Sequence, residues 1–151
     1  MDHAQLLSIT YSDRETVCRP LSDGFIFTIR NRAWRGGDVV VLFHAGRFRV
    51  RFAGMNESFG RDYGAVVEWI DALLDGELLV FEIYSHGEYV LGGSRDIADV
   101  ELDRDLTAFL ASLAQGDRIL LAELLALRAR GDCVCRLRAF SPEHNRFIIL
   151  S

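Results

Sequence analysis

DVVVLFHAGRFRVRFAG, residues 38–54, is the stretch on which the fold class turns. Its first part, DVVVLFH, is a run of Val, Leu and Phe that is apolar on both faces when extended, as in a central strand. Its second part alternates Arg47, Arg49 and Arg51 with Phe48, Val50 and Phe52. Successive side chains of a strand point to opposite faces, so this pattern turns three cations one way and three apolar groups the other. Ala45-Gly46 joins the two parts as a two-residue connection, and the resulting hairpin register fixes which face the arginines take.

Working outward, FIFTIR (25–30) follows the turn-like SDG, and ETVCRPL before it reads as an edge strand, where Pro20 can be tolerated. From Asp62, the apolar residues Tyr63, Val66, Val67, Ile70, Leu73 and Leu74 fall on one helical face. Glu68, Asp71 and Asp75 fall opposite, Trp69 sits at the margin, and Gly76 supplies the stop. ELLVFEIYSHGEYVLGG gives a second hairpin around His86-Gly87; both faces of its first strand are largely apolar, so something covers each. A second helix is expected from Asp103 through Leu106, Phe109, Leu110 and Leu113. DRILLAELLALRAR follows with Asp117 as its cap, and residues 117–130 read as a third helix with strand as the competing reading. CVCRLRAF (133–140) and RFIIL (146–150) close the chain as two strands joined around Ser141 to His144. The fold class is therefore α+β: an antiparallel sheet built from hairpins, with two or three amphipathic helices packed mainly on one face. One domain over 1–151 is expected, with 1–22 as a loosely attached edge strand.

The 151 residues carry a net charge of −5, distributed unevenly. Residues 1–60, 61–125 and 126–151 sum to +2, −10 and +3, and every one of the seventeen basic residues is Arg. The plain account is that basic strands lie beside acidic elements and neutralise them on folding, the β-strand arginines pairing with Glu82, Glu88 or helix acids. Neither a basic leader nor an apolar run of spanning length opens the chain, and the three cysteines form no spaced framework; a cytoplasmic protein with free thiols is expected.

Several constellations bear on chemistry. Arg136 and Arg138 alternate with Cys135 and Leu137, so they can join Arg47, Arg49 and Arg51 on one anion-binding surface. Single-stranded nucleic acid would need aromatic rings on the cations' own side, whereas Phe48 and Phe52 point away. Cys133 and Cys135 fit a core face better than a zinc site, whose paired cysteines are usually two or more residues apart. No HExxH, GxSxG, GxGxxG or phosphate-loop motif occurs, and Ser85-His86 is mere adjacency. Asp96, Asp99, Glu101, Asp103 and Asp105 lack the glycine and terminal Glu of a calcium loop. No cofactor or metal is expected.

The sequence thus points to a non-enzymatic protein-binding module, self-associating as a homodimer or engaging a partner protein. Its expected contacts are the acidic helix residues Glu68, Asp71 and Asp75 with Trp69, Tyr84 and Tyr89. Toxin-neutralising and chaperone proteins offer an analogy of general character only. The alternative is nucleic-acid or polyanion binding through Arg47, Arg49, Arg51, Arg136 and Arg138, which the overall negative charge opposes. A small enzyme whose site assembles only in three dimensions is the third reading.

Overall fold

In the computed structural model, which describes residues 1–102 and 105–151, the stretch 39–52 forms the middle of a five-stranded antiparallel sheet. The strands are β1 (Thr16–Leu21), β2 (Gly24–Ile29), β3 (Val39–His44), β4 (Arg47–Phe52) and β5 (Met55–Gly60), paired in chain order. The doubly apolar β3 is central, and β1, with Pro20, is an edge. Ala45 and Gly46 take φ of 51° and 76°, the two positive values a type I′ hairpin requires. Phe27, Ile29, Val39, Val41, Phe48, Val50 and Phe52 all point inward and are at most 2% exposed.

Two helices cover that inner face. α1 (His3–Thr10) contributes Leu7, with Tyr11 just beyond it, and α2 (Tyr63–Leu74) contributes Val66, Ile70 and Leu73. Residues 1–22 are therefore no loose edge strand: a helix precedes β1, closed at its start by a reciprocal cap between Asp2 and Gln5 and pinned by Leu7, which is fully buried. Burying a Leu or Phe side chain contributes about 1.5–3 kcal/mol, which outweighs the weak amphipathicity of so short a helix.

The remaining strands form a second sheet. β6 (Leu78–Ser85), β7 (Glu88–Asp96), β8 (Cys133–Arg138) and β9 (Arg146–Ile149) are ordered β7-β6-β8-β9, all antiparallel. α3 (Leu106–Ala114) and α4 (Arg118–Arg130) lie between β7 and β8 in sequence, so residues 117–130 are helix. Asp103, the expected start of the second helix, lies outside the described residues; Asp105 caps α3 and Asp117 caps α4, each accepting from backbone N–H groups. Leu79, Phe81 and Ile83 of β6 pack with Cys133, Cys135 and Leu137 of β8 against Phe109, Leu110, Leu113, Leu124 and Leu127 of the two helices. On its other face β6 gives Leu78 and Val80 to the first core. That double burial explains why the strand is apolar on both sides.

The architecture is α+β and antiparallel, built from hairpins, with its strands divided between two sheets and four α-helices among the described residues. Trp34 ties the sheets together: its Nε1 donates to the carbonyls of Ala139 and Phe140, both at 3.1 Å. Asn31 donates to the same Phe140 carbonyl at 2.8 Å, and Trp69 of α2 donates to Ser94 Oγ in β7 at 3.4 Å. No helix among the described residues is long and apolar enough to cross a membrane.

Candidate functional site

The outer face of the first sheet is where the β4 arginines emerge. Register sets Arg47 opposite His44, Arg49 between Leu42 and Ser58, and Arg51 between Val40 and Asn56. Across the sheet, Arg19 of β1 lies opposite Ile26. The result is a groove of about 420 Å³ with a floor of Val17, Ile26, Val40 and Leu42 and a rim of Arg19, Arg49, Arg51 and Asn56. It continues past Arg49 into a hollow of about 390 Å³ beside His44, Arg47 and Ser58. Among the described residues, ion pairs join Arg30 to Asp38, Arg32 to Glu15, Arg138 to Glu82 and His144 to Glu143; none involves Arg19, Arg47, Arg49 or Arg51. Among the described residues the expected pairing with Glu82, Glu88 or helix acids is found for Arg138, which meets Glu82, and not for the β4 stripe, since Glu82 and Glu88 belong to the other sheet.

Arg136 and Arg138 also lie on that second sheet, so the five arginines do not share one surface. Here the surroundings are aromatic and carry a buried acid. Glu82 is only 3% exposed; its Oε2 accepts from Tyr84 Oη at 2.7 Å, and Arg138 Nε stands 3.7 Å from its Oε1. A carboxylate so enclosed is tolerated because a hydroxyl and a guanidinium offset its desolvation. Burial, and then the bond to Glu82, push the Tyr84 phenol above its ordinary pKa. The Arg136 guanidinium lies 4.9 Å from the Tyr84 ring centre and 5.9 Å from that of Phe147, while Arg138 lies 5.5 Å from Trp34. Tyr89 meets Tyr84 edge-on at 5.8 Å and is 48% exposed. A hollow of about 380 Å³ opens among Arg136, Arg138, Asn145, Arg146 and Phe147.

The acidic helix candidates are partly occupied by structural work. Asp71 accepts from the buried Tyr11 hydroxyl at 2.9 Å, and this burial and contact drive the Tyr11 pKa upward. Asp75 is the C-cap of α2, and Trp69 is half-buried, edge-on to Phe59 at 6.1 Å; Glu68 is exposed. Tyr84 and Tyr89 belong to the second sheet rather than to the α2 surface, so the expected contacts divide between two elements.

The sulfur and histidine candidates resolve simply. Cys133 and Cys135 are free, fully buried thiols on the core face with Leu137 and Ala139. His3 stacks on Tyr63 at 4.9 Å, and His86 turns the β6–β7 hairpin with Ser85 Oγ 3.1 Å from its Nδ1. No group of three or more His, Cys, Asp or Glu suited to a metal occurs among the described residues. What sequence reasoning missed is Glu82 as the centre of a cluster; the signal was a lone acid inside the otherwise apolar LLVFEIY. None of the protein-family models, curated proteins or solved structures compared with this chain matches it.

Proposed function

We propose that the protein is a non-enzymatic binding module that receives an acidic, amphipathic segment of a partner protein along the outer face of its first sheet. The observation that carries this reading is the set of four guanidinium groups, Arg19, Arg49 and Arg51 around an aliphatic floor and Arg47 in the adjoining hollow, that have no carboxylate partner among the described residues, in a chain whose net charge is −5. Arg keeps its charge when half-buried and forks onto carboxylates, while Ile26, Val40 and Leu42 can take the aliphatic side chains of the same segment. Around Arg19, Arg49 and Arg51 the groove is lined by aliphatic side chains and no aromatic ring, which favours protein over nucleic acid. The groove replaces the acidic α2 face as the preferred contact, because Asp71 and Trp69 are already engaged internally.

The test uses a labelled amphipathic peptide of Leu and Glu, the same composition in scrambled order, and a short oligothymidylate, followed by fluorescence anisotropy across a salt series. The patterned peptide should bind most tightly and weaken with salt, and the charge reversal Arg47→Glu/Arg49→Glu/Arg51→Glu should abolish binding. Oligothymidylate binding through those arginines without peptide binding would replace this reading with the polyanion one. Sizing of the purified protein reads self-association separately.

A further inference from the structure

We infer that the hollow on the second sheet is a site for a phosphate monoester carrying a flat ring, that is, a ligand of the nucleotide class. It is independent of the groove on the first sheet, and it differs from that groove in what stands between the cations: rings rather than aliphatic side chains.

Each polar lining group is held by its neighbours and presents a donor. The Arg136 guanidinium sits over the Tyr84 and Phe147 rings, and among the described residues it has no hydrogen-bond or ion-pair partner, so its N–H groups are left for an acceptor. Arg138 is held between Trp34 and Glu82, yet its 3.7 Å separation from the carboxylate is too long for a hydrogen bond, so its donors stay available. Arg146 is clamped through one terminal nitrogen by the carbonyls of Glu143 and Asn145 at 2.6 and 2.8 Å, leaving its other nitrogens free to donate. Asn145 spends its Oδ1 on the Ala139 N–H at 2.7 Å, so its amide offers N–H to the hollow. Glu82, the carboxylate beside Arg138, is itself buried and bonded to Tyr84.

Arg136, Arg138 and Asn145, with Arg146 from the start of β9, therefore line the hollow with N–H groups to donate. A carboxylate has two oxygens for them; a phosphate monoester has three terminal oxygens and a double charge, which suits three separated forks. Phe147, 59% exposed on β9, offers a ring face beside that anion, and stacking on such a ring contributes about 1–3 kcal/mol. The requirement that rings share the cations' side, which β4 fails, is met here.

Isothermal titration in low-salt, phosphate-free buffer compares adenosine monophosphate, inorganic phosphate and adenosine. The expected order places adenosine monophosphate about tenfold or more ahead of either part alone. Arg136→Gln should weaken it about tenfold or more, Phe147→Ala should reduce it to the level of inorganic phosphate, and Arg49→Gln on the first sheet should leave it unchanged. Arg146→Gln gives the same reading as Arg136→Gln should the latter fail to fold, as judged by thermal unfolding. The inference is overturned if adenosine monophosphate does not bind, binds no better than phosphate, or responds to Arg49→Gln instead of to Arg136 and Arg146.

Discussion

Replacing Tyr84 by Phe removes one hydroxyl and leaves the ring that stacks on Arg136 and Tyr89 in place, so it isolates the bond to Glu82. That bond is 2.7 Å long, its acceptor is a carboxylate in a site only 3% exposed, and such charge-assisted bonds contribute about 1.5–3 kcal/mol. The substitution also strands one carboxylate oxygen, which places the expected loss in the upper half of that range. For a chain of this length, a loss of about 2–3 kcal/mol lowers the melting temperature by roughly 4–12 °C. Glu82→Gln keeps an acceptor for the hydroxyl but removes the charge, so in that background Tyr84→Phe should cost only the ~0.5–1.5 kcal/mol of a neutral bond. The two substitutions are thus coupled by about 1–1.5 kcal/mol in a double-mutant cycle. Urea unfolding followed by tryptophan fluorescence is the suitable assay, because Trp34 packs across the sheet junction and contacts Arg138. A cost below about 0.5 kcal/mol, or the same cost in both backgrounds, would refute the assignment of Glu82 as an anchored carboxylate.

Four further outcomes are expected. Burial pushes the Cys135 thiol up to about 12 and raises that of Cys133, so iodoacetamide should modify Cys18 alone in the folded protein and all three thiols in urea, read by mass spectrometry. Because the folded state holds the Cys135 proton more tightly than the unfolded one, its contribution is complete below the unfolded value of 9.0; it declines toward about 12, by ~1.4 kcal/mol per pH unit, a slope that Cys135→Ala should remove from denaturation curves taken at rising pH. Arg47→Thr/Arg49→Thr/Arg51→Thr, which keeps strand propensity and breaks no ion pair, should change stability by less than about 1 kcal/mol while abolishing peptide binding. Leu7→Ala should cost about 2–5 kcal/mol in denaturant unfolding, since a fully buried side chain is lost from the first core.

The hairpin of β3 and β4 was legible because alternation and turn chemistry agreed: the buried and exposed residues of β4 alternate as its sequence does. The starts of α2 at Asp62 and α4 at Asp117 were legible for a similar reason, since each acid bonds the backbone within its own helix. α1 left a fainter signal, Asp2 and Gln5 three residues apart, with only Leu7 fully buried behind it. β5, MNESFG, has almost no apolar pattern; it is extended because β4 offers it a ladder of hydrogen bonds, a tertiary cause that local sequence does not contain. The division into two sheets was hidden for the same reason. Arg136 and Arg138 alternate on β8 much as Arg47, Arg49 and Arg51 do on β4, and alternation reports a face without saying of which sheet. The doubly apolar β6 did hold the clue, because a strand covered on both sides must lie between two packed layers.

The charge blocks acquire a physical meaning from where the acids went. The middle segment, with its charge of −10, places Asp62, Asp105 and Asp117 on backbone N–H groups at helix starts and Asp71 on a tyrosine hydroxyl. Helix N-termini carry partial positive charge, so these carboxylates are stabilised close to home and need no arginine. Among the described residues the β4 guanidinium groups have no carboxylate partner, and their field is local. Within a Debye length of about 8 Å, a short acidic segment seated in the groove would meet mainly arginine, whereas a longer polyanion would extend over the rest of a chain whose net charge is −5. On the proposed reading, an acidic protein with a confined basic face would discriminate by the length of its ligand's charge, taking compact anions in preference to extended ones.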